Sequence, residues 1–325
     1  MNRILIVKTS AMGDIVANIP LINDIHARFP HIAIDWVVEE SFLEIAKLSP
    51  YINEFIPLGL RRWKKNPFSR QTWQEIGAFR TRLKSQHYDA VLDSQNLVKS
   101  ALICRLANGV SHGANYSTAR EPLAGLLHQK GYDITVKCHA AIRNRMLGAK
   151  VFGYSMPEDS PQYQLNVPAI SINYVPENPY VMGFHGTARA AKLWPVDHWI
   201  KIAEHLKNKG LDLLLPWGSA DEKQRAETIA LASSNMKVLP KLSLSELTCL
   251  TQRARASIGV DTGLMHLSVA LNIPTLAIFC DTHIWQAGTY PAQGTQAITI
   301  GGKPALPTVE EAISAFDQLK LSAQT

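Results

Sequence analysis

Short, continuously apolar runs alternate along the whole chain with longer segments whose apolar positions recur every three or four residues. "RILIVK", "IAIDWVV", "EFIPL" and "DAVLDS" in the first half have the length and β-branched content of strands. Between them, "FLEIAKL", "SRQTWQEIGAFRTRLKSQ" and "LVKSALICRLA" carry the helical period. Strands that are apolar on both faces and separated by helices belong to a parallel sheet covered on both sides.

A Pro-rich, weakly periodic stretch then intervenes, "MPEDSPQYQLNVPAISINYVPENP", and reads as an interdomain connector. Alternation resumes with "YVMGFHG", "DHWIKIAEHLKNKG", "LDLLLPWG", "DEKQRAETIALA", "KVLP", "LSELTCLTQRA", "ASIGV", "LMHLSVAL" and "TLAIFC". The pattern predicts two Rossmann-like α/β domains, 1–165 and 166–325, facing one another across a cleft. In such sheets ligands sit beyond the carboxyl ends of the strands, so the residues just after each strand are the candidates for chemistry.

Composition narrows the class. The chain has 325 residues, 46% hydrophobic and 18% charged, a globular balance with room for two cores. A net charge of +6 favours an anionic partner. Cys104, Cys138, Cys249 and Cys280 are scattered without a C-x-x-C pair, which suits reduced thiols in a cytoplasm. No apolar run approaches the ~20 residues of a membrane helix, so a cytoplasmic protein with at most peripheral membrane contact is expected.

The densest chemistry lies in "SIGVDTGLMHLSVAL". Asp261 is placed to cap the following helix, the N–H groups of Thr262 and Gly263 to face an anion, and His266 to follow one turn on. An ordinary cap with a buried histidine is the plainer reading. "GFHGTARAAKLWP" puts Thr187 and Lys192 after another strand, lysine being a compact charge suited to a diphosphate. Glu222 in "PWGSADEKQRA" starts a helix, where it either complements the helix dipole or binds ribose hydroxyls. Together these residues read as a nucleotide-diphosphate site.

The chain lacks G-x-G-x-x-G, G-x-x-x-x-G-K-[ST] and D-x-D. The first two absences weaken dinucleotide and kinase-type readings, and the third removes a common way to hold a metal on a diphosphate. No metal is therefore expected; helix N-termini and a lysine would neutralise the leaving phosphate.

Asp14, in the opening "KTSAMGD", is either the N-cap of "IVANIPLINDIHARF" or a general base for an acceptor hydroxyl. "LRRWKKNPFSR" places Arg61, Arg62, Lys64 and Lys65 around Trp63 in an apparent loop where an anionic, lipid-linked acceptor could dock, and Arg120 in "TAREPLAG" is a further candidate. A solvated basic loop is the plainer reading. Nucleic acid is not expected, because the interleaved stacking aromatics of single-strand binders are missing.

"KTSAMGD", "HGTA…K.WP", "PWG…E…RA" and above all "VDTGLMHL" resemble the lipopolysaccharide heptosyltransferases, within them the branch that places the first inner-core heptose. "WVVEE", "LRRWKK", "D.Q.LVKSA" and "TAREPLA" extend the resemblance along nearly the whole chain. It implies a GT-B fold, two doubly wound domains, with inverting, metal-independent transfer from ADP-L-glycero-β-D-manno-heptose to Kdo2-lipid A by a peripheral protein at the anionic cytoplasmic face of the inner membrane. A monomer without a cofactor is expected.

By carry-over, Asp14 matches the family's general base, with Lys192 beside the departing diphosphate. Thr187, Ala188, Lys192, Glu222, Leu242, Asp261, Thr262, Gly263 and His266 match the donor site. Arg61, Arg62, Lys65 and Arg120 match acceptor-side positions. The chain departs from the family at Ala188, where a hydroxyl residue is common, at Leu242, where methionine can sit, and at "FCDTHIWQ", which replaces a Gly-Pro-Thr-Asp turn. Transfer of the second heptose, a nicotinamide-dependent oxidoreductase and a non-catalytic glycolipid binder are the competing readings.

Overall fold

The computed structural model describes residues 1–172, 174 and 176–322, and the chain divides into two compact units, Met1–Asn166 and Val167–Thr325. The first holds a six-stranded sheet of β1 (Arg3–Val7), β2 (Ala33–Glu39), β3 (Glu54–Leu58), β4 (His87–Asp93), β5 (Asn108–Ala114) and β6 (Lys130–Tyr132). All neighbours are parallel, in the order β3-β2-β1-β4-β5-β6. The second holds β7 (Tyr180–Phe184), β8 (Asp212–Leu215), β9 (Met236–Val238), β10 (Ala256–Val260), β11 (Thr275–Phe279) and β12 (Ala297–Gly301), parallel in the order β12-β11-β10-β7-β8-β9.

The two orders are the same when each is numbered from its own first strand. Each sheet starts at its centre, grows one way for three strands and then crosses to the other side. The reversal falls between β1 and β4 in one unit and between β7 and β10 in the other. Helices that leave neighbouring strands in opposite directions part there, and a crevice opens at the carboxyl ends.

Burial explains why the strands read as unbroken apolar runs. Ile4, Leu5, Ile6 and Val7 of β1 are all inaccessible. In the second unit successive residues enter different cores. Val181, Leu213, Leu215, Leu276 and Ile278 pack with Trp194 and Trp199, whereas Tyr180, Met182, Phe184, Leu214, Ala277 and Phe279 pack with Leu247 and Met265. Period-2 side chains thus fill both faces of the sheet.

The helix Val196–Asn208 shows the complementary rule, burying Trp199, Ile202, Ala203 and Leu206 at three- and four-residue spacing. The Pro-rich stretch 156–179 has no helix or strand among its described residues; Asn173 and Val175 within it, and 323–325 at the C-terminus, lie outside the described residues. Among the described residues the four cysteines are free, and no helix is long and apolar enough to cross a membrane.

β5, β6 and β12 were not among the expected strands. "NGVSHGA" and "KGY" are rich in glycine and polar residues, and their strand conformation comes from pairing with β4 and with one another.

Candidate active site

The second unit's crevice is built from the residues that follow β7, β10 and β11. Thr187, three residues beyond β7, donates its hydroxyl to the Asp261 carbonyl at 3.0 Å. Lys192 ends a short 3-10 turn, Ala190–Lys192, and its ammonium donates to Asp261 Oδ2. Thr282 Oγ1 donates to the same oxygen at 2.7 Å, and His266 Nε2 stands 3.9 Å from Oδ1. Burial alone would raise the Asp261 pKa, but the approach of His266 and the hydrogen bonds from Lys192 and Thr282 outweigh it and hold the carboxyl well below the usual range.

Asp261 is therefore not the cap that its position suggested. The helix Gly263–Ala270 has Thr262 as its N-cap residue, without a side-chain cap bond, and the Asp261 carboxylate is committed to Lys192 and Thr282 instead. The helix's first-turn N–H groups are left for a ligand.

This turn is held by its surroundings. A Cβ on Gly259 would lie 2.8 Å from the Met265 Cβ, so the helix can lie close on β10 only because that position is bare. Underneath, Ser257 Oγ meets Ser268 Oγ at 2.6 Å and Thr275 Oγ1 at 2.9 Å, tying β10, the helix and β11 into one buried hydroxyl cluster.

Glu222 sits at the third position of the helix Ala220–Ala230, with Ser219 as cap. Its Oε2 accepts from the Gly218 and Ser219 N–H groups at 2.6 and 3.2 Å, so that oxygen is already engaged by the capping box. The other oxygen lies against Gly186, where a Cβ would come within 2.6 Å of it. Ala188 is exposed in the turn after β7, and Leu242 packs on the apolar cluster around Leu239 and Leu247.

Two features of this crevice were missed. Thr282 follows β11, and the strand-end rule that located Lys192 would have found it. Trp217, in "PWG" after β8, donates Nε1 to the Leu239 carbonyl at 2.7 Å while Lys241 and Lys223 lie over its ring.

His185, just after β7, is wholly buried. Its Nε2 donates to the Pro216 carbonyl at 3.1 Å, and Nδ1 meets no partner among the described residues. Burial, reinforced by the Arg225 charge, pushes the imidazole down to about 4. The unfolded chain binds this proton near ~6.5 and the folded one does not, so stability is whole above that pH and falls between about 6.5 and 4. We expect the urea midpoint to be flat from pH 8 to 7 and to drop by the equivalent of ~3 kcal/mol toward pH 4 from this group. In the His185→Gln variant that part of the pH dependence should vanish; an unchanged slope would show that other groups cause it.

In the first unit, Lys8 and Thr9 follow β1 and Ser94 and Gln95 follow β4. Lys8 is 4% exposed; its ammonium donates to the Ser94 carbonyl at 2.8 Å and lies 3.7 Å from Asp14 Oδ1. Burial pushes the Lys8 pKa down, with the Asp14 and Asp93 charges opposing. Gln95 Oε1 accepts from the N–H groups of Thr9 and Ser10 at 3.0 and 3.2 Å, and Asp93 Oδ1 accepts from Gln95 and Asn96 N–H at 2.9 and 2.8 Å. The turn leading to Asp14 is thus fastened to the end of β4.

Asp14 does not cap a long helix. The segment breaks into Met12–Val16 and Ile19–Arg28, and Asp14 is the third residue of the first piece, reaching back to the Ala11 N–H at 3.3 Å. Its side chain keeps 27% exposure, with Arg120 Nη1 4.0 Å from Oδ2.

The basic "loop" is a helix, Leu60–Lys65, whose Trp63 is buried and donates Nε1 to Glu75 Oε2 at 2.7 Å. Arg62 forks onto Glu40 at 3.0 and 3.1 Å and bonds Glu75 at 2.6 Å, so it is spent on carboxylates of its own unit. The Arg61 N–H donates to Glu39 at 3.1 Å with its guanidinium over Phe42, and Lys65 is exposed at the helix end. Asp14 and Arg120 therefore stand together, while Arg61, Arg62 and Lys65 share a different helix. Among the described residues no group of three His, Cys, Asp or Glu is arranged to hold a metal.

Comparison with known proteins agrees in one direction. Residues 76–314 match the model of glycosyltransferase family 9 (heptosyltransferase). The lipopolysaccharide heptosyltransferase 1 of Escherichia coli K12 is 39% identical over 289 residues, 89% of this chain and 91% of that protein. Two solved structures overlap nearly the whole chain. E. coli heptosyltransferase WaaC with ADP has a TM-score of 0.84 at 36% identity, covering 97% of this chain and 98% of the other. WaaC with ADP-2-deoxy-2-fluoro heptose has a TM-score of 0.80 at the same identity and coverage.

Proposed function

The chain belongs to glycosyltransferase family 9, the heptosyltransferases, and on that premise we propose how its two crevices divide the work of heptose transfer in lipopolysaccharide inner-core synthesis. The donor is ADP-L-glycero-β-D-manno-heptose, bound by the second unit. The acceptor is the Kdo of Kdo2-lipid A, bound by the first. The reaction inverts the anomeric centre, needs no metal, and takes place at the cytoplasmic face of the inner membrane on a monomeric protein.

The observation that carries this reading is the Asp261 cluster at the reversal point of the second sheet, in a chain whose solved relative holds ADP. Lys192 and the first-turn N–H groups of the helix Gly263–Ala270 offer positive charge to a diphosphate without a cation. Asp261 holds Lys192 and does not itself meet the phosphates, which it would repel. Thr187, Ala188 and His266 border the same turn; Glu222 faces ribose with its uncapped oxygen, and Leu242 the adenine.

The remaining step needs a base. An acceptor hydroxyl attacks the anomeric carbon from the face opposite ADP, the bond from carbon to phosphate oxygen breaks, and Asp14 takes the hydroxyl proton. Arg120, beside Asp14, meets acceptor anions, with Arg61 and Lys65 engaging charge further out. Arg62 serves there only by giving up Glu40 or Glu75.

Purified protein given ADP-heptose and Kdo2-lipid A in EDTA is expected to form mono-heptosylated product whose new linkage has the inverted configuration by NMR. Transfer only to an acceptor that already carries one heptose would replace this reading with addition of the second heptose. Loss of activity in EDTA, restored by a divalent cation, would overturn the metal-free step.

A further inference from the structure

The helix Arg70–Lys84 has two stripes of different character. Thr72 and Leu83 are buried, and Ile76 and Phe79 pack on the core at the intervening turns. Next to that stripe, Arg70, Trp73, Arg80 and Lys84 recur at the three- and four-residue spacings of one helix face, and all four are exposed. Phe68, just before the helix, is 96% exposed and Trp73 64% exposed. The helix's one carboxylate, Glu75, is elsewhere and engaged by Arg62 and Trp63. None of the three cations on this face makes an ion pair among the described residues.

Exposed lysines and arginines are ordinary; an exposed phenylalanine and tryptophan set among unpaired cations are not. Water is a poor environment for both rings. The interface of an anionic bilayer suits each component: the phenyl group enters the acyl boundary, the indole sits at headgroup level, and the cations meet lipid phosphates. We propose that the face formed by Phe68, Arg70, Trp73, Arg80 and Lys84 docks this protein on an anionic lipid surface, with the aromatic pair inserted and the cations at the headgroups. This deepens the reading above, on which it rests for the acceptor being carried in a membrane. Attachment of this kind outlasts salt, because inserted rings are not released as a purely electrostatic contact is.

Flotation of the whole protein, without donor or acceptor, with vesicles of phosphatidylglycerol and phosphatidylcholine tests the surface; transfer to a deacylated, water-soluble Kdo acceptor is assayed beside it. We expect binding to the mixed vesicles and little to phosphatidylcholine alone. Neutralising Arg80 and Lys84 to Gln should weaken binding roughly 5-fold for each charge. Phe68→Ser with Trp73→Ser should weaken it about tenfold or more and abolish the fraction that survives 0.5 M salt. Both variants should keep wild-type rates on the soluble acceptor.

Wild-type protein that transfers heptose but ignores anionic vesicles would overturn the docking surface and leave the enzymatic reading intact. Binding with the expected sensitivities but no transfer would do the reverse. Loss of soluble-acceptor transfer in these variants, with folding intact by circular dichroism, would assign the helix to the acceptor site and end the proposal. Preferential binding of a single-stranded oligonucleotide over vesicles would end it too.

Discussion

Asp14→Asn is expected to lower kcat for heptose transfer by about two to four orders of magnitude, the range for losing a positioned general base. ADP affinity should stay within about twofold, because Asp14 belongs to the first unit and the Lys192–Asp261 cluster to the second. The amide is the informative replacement. It keeps an oxygen for the Ala11 N–H that Asp14 accepts at 3.3 Å, so the short helix Met12–Val16 retains its first-turn bond. It cannot take a proton, and it removes the carboxylate that faces Lys8 at 3.7 Å and Arg120 at 4.0 Å. Titration of ADP by calorimetry and steady-state kinetics on the same preparation separate the outcomes. A collapse of ADP affinity would place Asp14 in donor binding, and near-normal kcat with a raised acceptor KM would make it a binding residue. Asp14→Ala should be as inactive as Asp14→Asn and somewhat less stable.

The fold was legible where burial is two-sided. β1, β7, β10 and β11 read as short, almost wholly apolar runs because sheet and helices cover them from both sides, and their shortness and spacing between helical segments mark them as strands. β5 and β6 were illegible because Gly109, Gly113 and Gly131 carry no pattern, and only their neighbours in the sheet make them strands. For the candidate site the sequence gives places along the chain and not partners. The strand-end rule and the resemblance led to Asp14, Lys192 and the Asp261 turn, but which atom each side chain meets is set by partners distant in sequence. Asp261 is bound by Lys192, 69 residues earlier, and Arg62 by Glu40, 22 residues earlier. A cap and a free cation were the local readings of these two residues, and both lost to tertiary pairing. Heptose and Kdo came from the resemblance alone; charge and topology reach only as far as a nucleotide diphosphate and an anionic acceptor.

Lys192→Ala should lower transfer roughly 10²- to 10³-fold, as removal of one donor to developing negative charge does, and should weaken ADP binding as well. The loss has two physical parts. One is the missing ammonium at the departing diphosphate. The other is what remains: an Asp261 carboxylate with 8% side-chain exposure that has lost the hydrogen bond and charge of its lysine. Asp261→Asn tests the second part. It leaves Lys192 charged but unfastened, so ADP affinity should fall less than in Lys192→Ala while kcat drops through loss of alignment. In the double variant no unpaired carboxylate is left behind, and its ADP affinity should be better than the product of the single effects predicts. Lys192→Arg should rescue little, because the planar fork of a guanidinium does not reproduce the compact ammonium that donates to Asp261 Oδ2. The cycle is measured by calorimetry with ADP alone, which keeps it independent of the acceptor. Strict additivity would mean that Asp261 and Lys192 act separately, and Asp261 would then have to be reassigned from holding the lysine to contacting the sugar itself.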